Sequence, residues 1–235
     1  MKAGIIAAGE GSRLRAEGIR VPKPLVVVDG LTLIERLLNS FIRCGIEEVA
    51  CIINANSLEV KKFVEAKNFK IPIRFHIETT PSSMHSFFAL EPYFHNERFL
   101  LTTVDSIFDD ADLIKYLRFA EEHPEKDGIL AVTNFIDDET PLYVQLDSAN
   151  KILRFGSEDT KELPEWVTGG LYILSTKVYD EKPKTLSIGM ERFRNFLRYL
   201  LEHSYSLTAF PFSKIIDVDH INDVRTAEQL LRARV

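Results

Sequence analysis

Near its start the chain reads "AGIIAAGEGSRLR", from Ala3 to Arg15, an apolar run that falls into a turn with two glycines, a serine and an arginine. The small residues Ala7, Ala8, Gly9 and Gly11 let backbone approach a ligand closely, and N–H groups of such a turn, running into Ser12, can hold phosphate oxygens. Arg13 offers a planar fork of donors to the same oxygens. Lys23, set between Pro22 and Pro24, supplies a second point charge. Three phosphate-binding systems begin with a turn of this kind. A dinucleotide fingerprint needs G-x-G-x-x-G, and Leu14 stands where its third glycine belongs. A P-loop needs G-x-x-x-x-G-K-[ST], a string absent from the sequence. The third system is a turn whose N–H groups and a nearby arginine grip the phosphates of a nucleoside triphosphate, and it accommodates every one of these residues. A glycine turn with solvated arginines is the plainer alternative.

The elements that would position these groups alternate along the first half. Residues 3–8 read as a strand, and "EVACIIN" as a second strand apolar enough to be buried on both faces. Between them, Leu33, Leu37, Leu38, Phe41 and Ile42 share one helical face, with Thr32 and Glu35 as a capping box. A helix over 57–67, a strand "IPIRFHI", a short helix "SMHSFFALEPYF" and a strand "RFLLTTVDS" follow, the last placing Asp105 at its C-terminal end. Helix "ADLIKYLRFAEEH" and strand "GILAVTNF" continue the alternation. After Pro141 the pattern becomes a hairpin turning at 147–150, a strand "WVTGGLYILST", a helix "MERFRNFLRYLLEHS", two short strands and a closing helix from about Ile221. The expected fold class is α/β: a Rossmann-like, mostly parallel sheet with helices on both faces. We expect one domain over 1–235, with 1–140 as the nucleotide-binding part and 141–235 as a C-terminal hairpin and acceptor-binding elaboration with its closing helix.

Composition narrows the partners. A net charge of −6 over 235 residues speaks against a general nucleic-acid or anionic-membrane surface. The sequence has no apolar run long enough to cross a membrane, and its N-terminal apolar stretch is too short for a signal peptide. Cys44 and Cys51 are expected as reduced thiols without a catalytic role, in a cytoplasmic protein.

"IIAAGEGSRL" followed by "PKPLVVVDGLTLIERLLNSFIRCGIEEV" resembles the N-terminal region of the nucleoside-triphosphate transferase family. That family comprises the sugar-phosphate nucleotidylyltransferases and relatives such as the bacterial phosphocholine cytidylyltransferases. The resemblance returns, in family order, at "FLLTTVDSIFD", "VTGGLYIL" and "IIDVDHINDVRTAEQLL". It implies that an acceptor phosphate attacks the α-phosphorus of a nucleoside triphosphate and that pyrophosphate leaves. Such chemistry needs two polyanions positioned and their charge neutralised, a task that suits Mg²⁺ held by one or two carboxylates. The resemblance implies Asp105 as a metal ligand, although Val104 stands where the family usually has glycine. It implies Asp217 as the second ligand, with Asp219 as the other candidate. Arg13 would then bind the leaving β/γ phosphates, and Lys23 would bridge the α-phosphate and the acceptor.

The base-reading segment departs from the sugar-type members. Where many carry a Gly-Thr-Ala-like turn, this chain has "ETTPSSMHSFFAL", whose "HSFFAL" is closer to the phosphocholine type. Ser82 or Ser83 could cap that helix, with Ser83 or Met84 near the base, and His85 lies in the same segment. Cytosine is favoured among bases left open. On the acceptor side, Gly169 and Gly170 match positions where the family lets backbone approach the acceptor. Glu158 and Lys161 are candidate substitutes for the family's Glu-Lys-Pro, and Trp166 is expected to pack under the hairpin. The resemblance therefore implies a nucleotidylyltransferase acting on a sugar 1-phosphate or small phospho-alcohol. A phosphocholine-type cytidylyltransferase is the narrower alternative, and a catalytically silent nucleotide-sugar-binding regulator is the alternative from another class.

Overall fold

Side chains alternate along the central strands, and both sets are buried. In β1 (Lys2–Ala7), Ala3, Ile5 and Ala7 enter one apolar cluster while Ile6 packs on another. Burial on both faces requires helices on both sides of the sheet. The computed structural model describes residues 1–95, 97–136, 140–156 and 165–232.

The Gly-rich turn after β1 leads into α1 (Ser12–Ala16), a 3₁₀ turn over Lys23–Leu25 and a tight hairpin of β2 (Val27–Val28) and β3 (Leu31–Thr32). Asp29 and Gly30 both have positive φ in that hairpin, as a two-residue turn of this kind requires. Helix α2 (Leu33–Arg43) then covers the first face, capped by the Thr32 hydroxyl, which accepts from the Glu35 N–H at 3.2 Å. Strand β4 (Glu48–Ile53), α3 (Leu58–Lys67) and β5 (Ile73–Ile77) extend the sheet to one side of β1. The chain then crosses back through α4 (Ser83–Ala89), on the second face, to β6 (Phe99–Thr103) on the other side of β1.

A short β7 (Ser106–Ile107) precedes α5 (Asp110–Glu122), on the first face, and β8 (Gly128–Thr133). The hairpin forms as β9 (Tyr143–Leu146) and β10 (Ile152–Gly156), followed by β11 (Trp166–Leu174). Helices α6 (Lys182–Ser187) and α7 (Phe193–Glu202), strands β12 (Leu207–Pro211) and β13 (Ile216–Asp217), and α8 (Ile221–Arg232) close the described chain. In the nine-stranded sheet every strand runs in one direction except β10 and β11. The fold is thus the expected α/β arrangement, with the C-terminal hairpin joined to the same sheet.

This topology decides where ligands can sit. Strand order reverses at β1, where one neighbour is reached over the first face and the other over the second, and such a switch point opens a crevice at the strands' carboxyl ends. Ile6 pairs with Thr103, so the Gly-rich turn and the Val104–Asp105 turn leave the sheet side by side. Both cysteines are free, as expected. Burial pushes the Cys44 thiol up to about 11 and the Cys51 thiol up to about 12, which removes both as nucleophiles at neutral pH.

Candidate active site

Two clefts meet at the carboxyl ends of β1 and β6. The first, about 310 Å³, is lined by Ala7, Gly9, Gly11, Ser12, Arg13 and Lys23 together with Thr103, Asp105 and Asp219. The second, about 220 Å³, runs from Asp105, Asp217 and Asp219 past Thr103, Thr168, Gly170 and Tyr172 to Ser83, Phe193 and Arg194. Ile6, Thr103, Asp105 and Asp219 line both, and the two carboxylates stand at their border.

The glycine turn earns its composition at Gly11, the residue before α1. It has φ +60°, and a Cβ there would lie 3.1 Å from Lys23 Cβ. The turn is therefore seated against the 3₁₀ turn that carries Lys23, where Leu25 N–H donates to Pro22 O at 2.8 Å. Lys23, only 11% exposed, reaches across the cleft. Its ammonium donates to Asp105 Oδ2 and, at 2.6 Å, to Asp219 Oδ1, while Arg13 Nη1 donates to Asp219 Oδ2 at 2.7 Å. Burial opposes the charge on Lys23, but Asp105 and Asp219 outweigh it and hold the ammonium protonated beyond the ordinary lysine range. Burial likewise opposes the Asp105 charge, and Lys23 outweighs it, so that carboxyl lies below the usual carboxylate range.

Backbone pairing brings the C-terminal aspartates to this place. Asp217 pairs with Ser106 across β13 and β7, and Val218 N–H donates to Asp105 O at 3.1 Å. The Ser106 hydroxyl donates to Asp217 Oδ1 at 2.7 Å and lies 3.1 Å from Thr103 Oγ1. Gly170 completes the packing. A Cβ there would fall 2.5 Å from Ser106 Oγ and 2.9 Å from Thr103 Oγ1, at φ +75°. Gly170→Ala is accordingly expected to cost about 2 kcal/mol through the left-handed backbone and the clash. Urea denaturation measures it, and the displaced Ser106 should lower activity further than the lost stability accounts for.

Other expected residues fall differently. Ser83 lines the second cleft, not the first, and its Oγ accepts from Phe193 N–H at 3.1 Å. Met84 comes to neither cleft: its side chain is fully buried in the second-face core and its N–H donates to Glu191 O at 3.1 Å. Ala8 is half-buried against that same core, and Gly169 lies against Ile215. Helix α4 is capped by Ser82, whose Oγ also sits 2.8 Å from His85 Nδ1. Trp166 packs on the second-face core, and Glu158 and Lys161 lie outside the described residues. Thr103, Ser106, Tyr172 and Arg194 were not singled out from sequence. Only Ser106, next to Asp105, carried a local signal.

The donor set fits a divalent cation. Asp105 Oδ1 is buried and has no hydrogen-bond partner, an arrangement that costs stability unless a cation or donor meets it. Among the described residues no group of three or more His, Cys, Asp or Glu could hold an ion alone. Mg²⁺ does not require one, because substrate phosphates and water complete its shell around one or two carboxylates.

The sequence profile of the nucleotidyl transferase family matches residues 2–234. The chain belongs to that family. A mannose-1-phosphate guanyltransferase of Gibberella zeae is 26% identical over 222 residues, covering 89% of this chain and 59% of that protein. A bifunctional IPC transferase and DIPP synthase of Rubrobacter xylanophilus is 26% identical over 237 residues, covering 97% of this chain and 51% of that protein. This nucleotidyl transferase chain thus spans little more than half the length of these curated relatives. The inositol-1-phosphate CTP transferase structure from T. maritima shares the fold, with a TM-score of 0.83 at 21% identity over 99% of this chain and 96% of that one.

Proposed function

We propose that this nucleotidyl transferase joins a nucleoside triphosphate to the phosphate of a sugar 1-phosphate or other small polyol phosphate and releases pyrophosphate. The observation that carries the reading is Lys23, a buried ammonium beside two carboxylates that border both clefts. A triphosphate in the first cleft would exchange Arg13 and Lys23 from carboxylates to phosphate oxygens. Arg13 would hold the leaving β/γ phosphates. Lys23 would lie between the α-phosphate and the acceptor phosphate, where negative charge concentrates as the new bond forms. Asp105 and Asp217, with Asp219 as the alternative second carboxylate, would hold Mg²⁺, which when bound neutralises charge on the phosphates. The division into a nucleotide part and an acceptor part belongs to the same reading, with Asp219 and Ser83 each serving the other part's cleft. So does a cytoplasmic setting, supported by two free cysteines.

The second cleft favours a polyol over phosphocholine. Its walls carry the hydroxyls of Ser83, Thr168 and Tyr172, and Arg194, half-buried and donating to Thr140 O at 2.9 Å, is its cation. Asp105, Asp217 and Asp219 of the same cleft are taken up by Mg²⁺ in this reading, so Arg194 remains to meet the acceptor and disfavours a quaternary ammonium beside it. The relatives' names differ in the base, guanine for one and cytosine for another, so a screen has to vary it. The intact set of Arg13, Lys23, Asp105 and Asp217 supports an enzyme over a silent regulator.

A pyrophosphate-release screen tests the reading: CTP, GTP, UTP, ATP and dTTP against hexose 1-phosphates, inositol 1-phosphate and phosphocholine, with Mg²⁺. Release with a polyol phosphate and little with phosphocholine is expected, and Arg194→Gln should raise KM for the acceptor about tenfold. Nucleotide binding without release across the panel would favour the regulator.

A further inference from the structure

The groups that grip substrate come from two segments far apart in sequence. One is α1 with Arg13, and the other is the 217–221 segment with Asp217 and Asp219. Inside the cleft they are cross-linked by the Arg13–Asp219 pair. Outside it, Glu17, the residue that ends α1, makes a second cross-link over more than 200 residues. Its Oε1 lies 2.6 Å from His220 Nδ1, and its Oε2 accepts from Ile221 N–H at 2.7 Å. Glu17 thereby caps the start of α8 from another part of the chain, a favourable place for a carboxylate. The far side of the same segment is also held, since Asp223 Oδ2 accepts from Asp219 N–H at 2.9 Å and from His220 N–H at 2.6 Å.

We propose that Glu17 is a positioning residue that clamps the Arg13 helix to the aspartate segment while Arg13 and Lys23 change partners. The proposal rests on the nucleotidyl-transfer reading. When phosphates draw Arg13 and Lys23 away from Asp219, their bonds to that carboxylate are lost. Leu14 and Val218 still share an apolar cluster and the β7–β13 pairing still holds the aspartate segment to the sheet, but neither fixes the rotation of α1 against that segment. Glu17 does not line either cleft, so its contacts survive substrate binding. The clamp therefore matters more in the nucleotide-bound protein than in the free one.

That asymmetry is the test. Hydrogen exchange at residues 217–220, which lie beside the Ile221 N–H that Glu17 itself accepts from, is followed in wild type and Glu17→Ala, without nucleotide and with each of the screened triphosphates at saturation. The clamp predicts a modest change in free Glu17→Ala and at least tenfold faster exchange in its nucleotide complex. It also predicts a kcat about tenfold lower with Tm changed by only a few degrees, and a Glu17→Ala/His220→Ala double variant no worse than Glu17→Ala alone, because the His220 contact is already lost with Glu17. Equal acceleration in free and bound protein would mark a merely structural contact and overturn the proposal, as would kcat within twofold of wild type. A chain that binds none of the triphosphates overturns the transfer reading as well. Binding without any difference at 217–220 overturns the clamp alone.

Discussion

Lys23→Ala is expected to lower kcat about 10³-fold while raising KM for the triphosphate less than about tenfold. The ammonium sits at the border of the two clefts, so its largest contribution falls on charge that develops between the α-phosphate and the acceptor. On the proposed reading Arg13 would still hold the β/γ phosphates, which is why ground-state binding should suffer less. Steady-state kinetics on the best pair from the screen separate the two quantities, and an unchanged kcat would refute the assignment. The same substitution should destabilise the substrate-free protein by about 2 kcal/mol, because Asp105 loses the cation that offsets its burial. Lys23→Arg should restore stability better than turnover, since a planar fork cannot occupy the position of a compact ammonium.

Asp105→Asn is the second large effect, with kcat lowered at least about 10³-fold and the Mg²⁺ concentration for half-activation raised. An amide keeps the shape of the side chain but not the charge that a hard cation requires. Activity against Mg²⁺ concentration measures it. The pair also has a pH signature in the substrate-free protein. The Asp105 pKa is depressed, so its stabilisation is present above its unfolded value near 4 and is lost as pH falls through the lower folded value. The Lys23 pKa is raised, so its stabilisation is present below the unfolded value and is lost only as pH rises beyond the ordinary lysine range. Through this pair Tm should hold between about pH 5 and pH 9 and decline below pH 4, a decline that Asp105→Asn should blunt.

Much of this arrangement could be read locally. The burial pattern of β1 and β4 follows from their near-continuous apolar runs, and α2 from its apolar face and its Thr32 cap. The Asp29–Gly30 dipeptide is the usual signal of a tight hairpin, although the strands it joins are too short to show any periodicity. Met84 shows the opposite failure. Its segment resembles a base site, yet the helix turns this residue into the core while Ser83, its neighbour, lines the second cleft. A short helix without a strong apolar face gives no warning of which residue it buries. Arg194 and Glu17 carried no signal, because an arginine near a helix start and a glutamate after a short helix are common on any surface.

The sequence by itself determined the long strands and helices of the main sheet, the Gly-rich turn with Arg13 and Lys23, and the family, because each rests on residue types at short spacings. Only the tertiary structure decided that Asp105, Asp217 and Asp219 converge. Parallel pairing of β1 with β6 sets the turn beside Asp105, and the β7–β13 pairing delivers the C-terminal aspartates to them. It also decided that Gly170 must lack a side chain and that Glu17 meets His220. Backbone pairing between distant segments fixes these neighbours, and no local spacing encodes it.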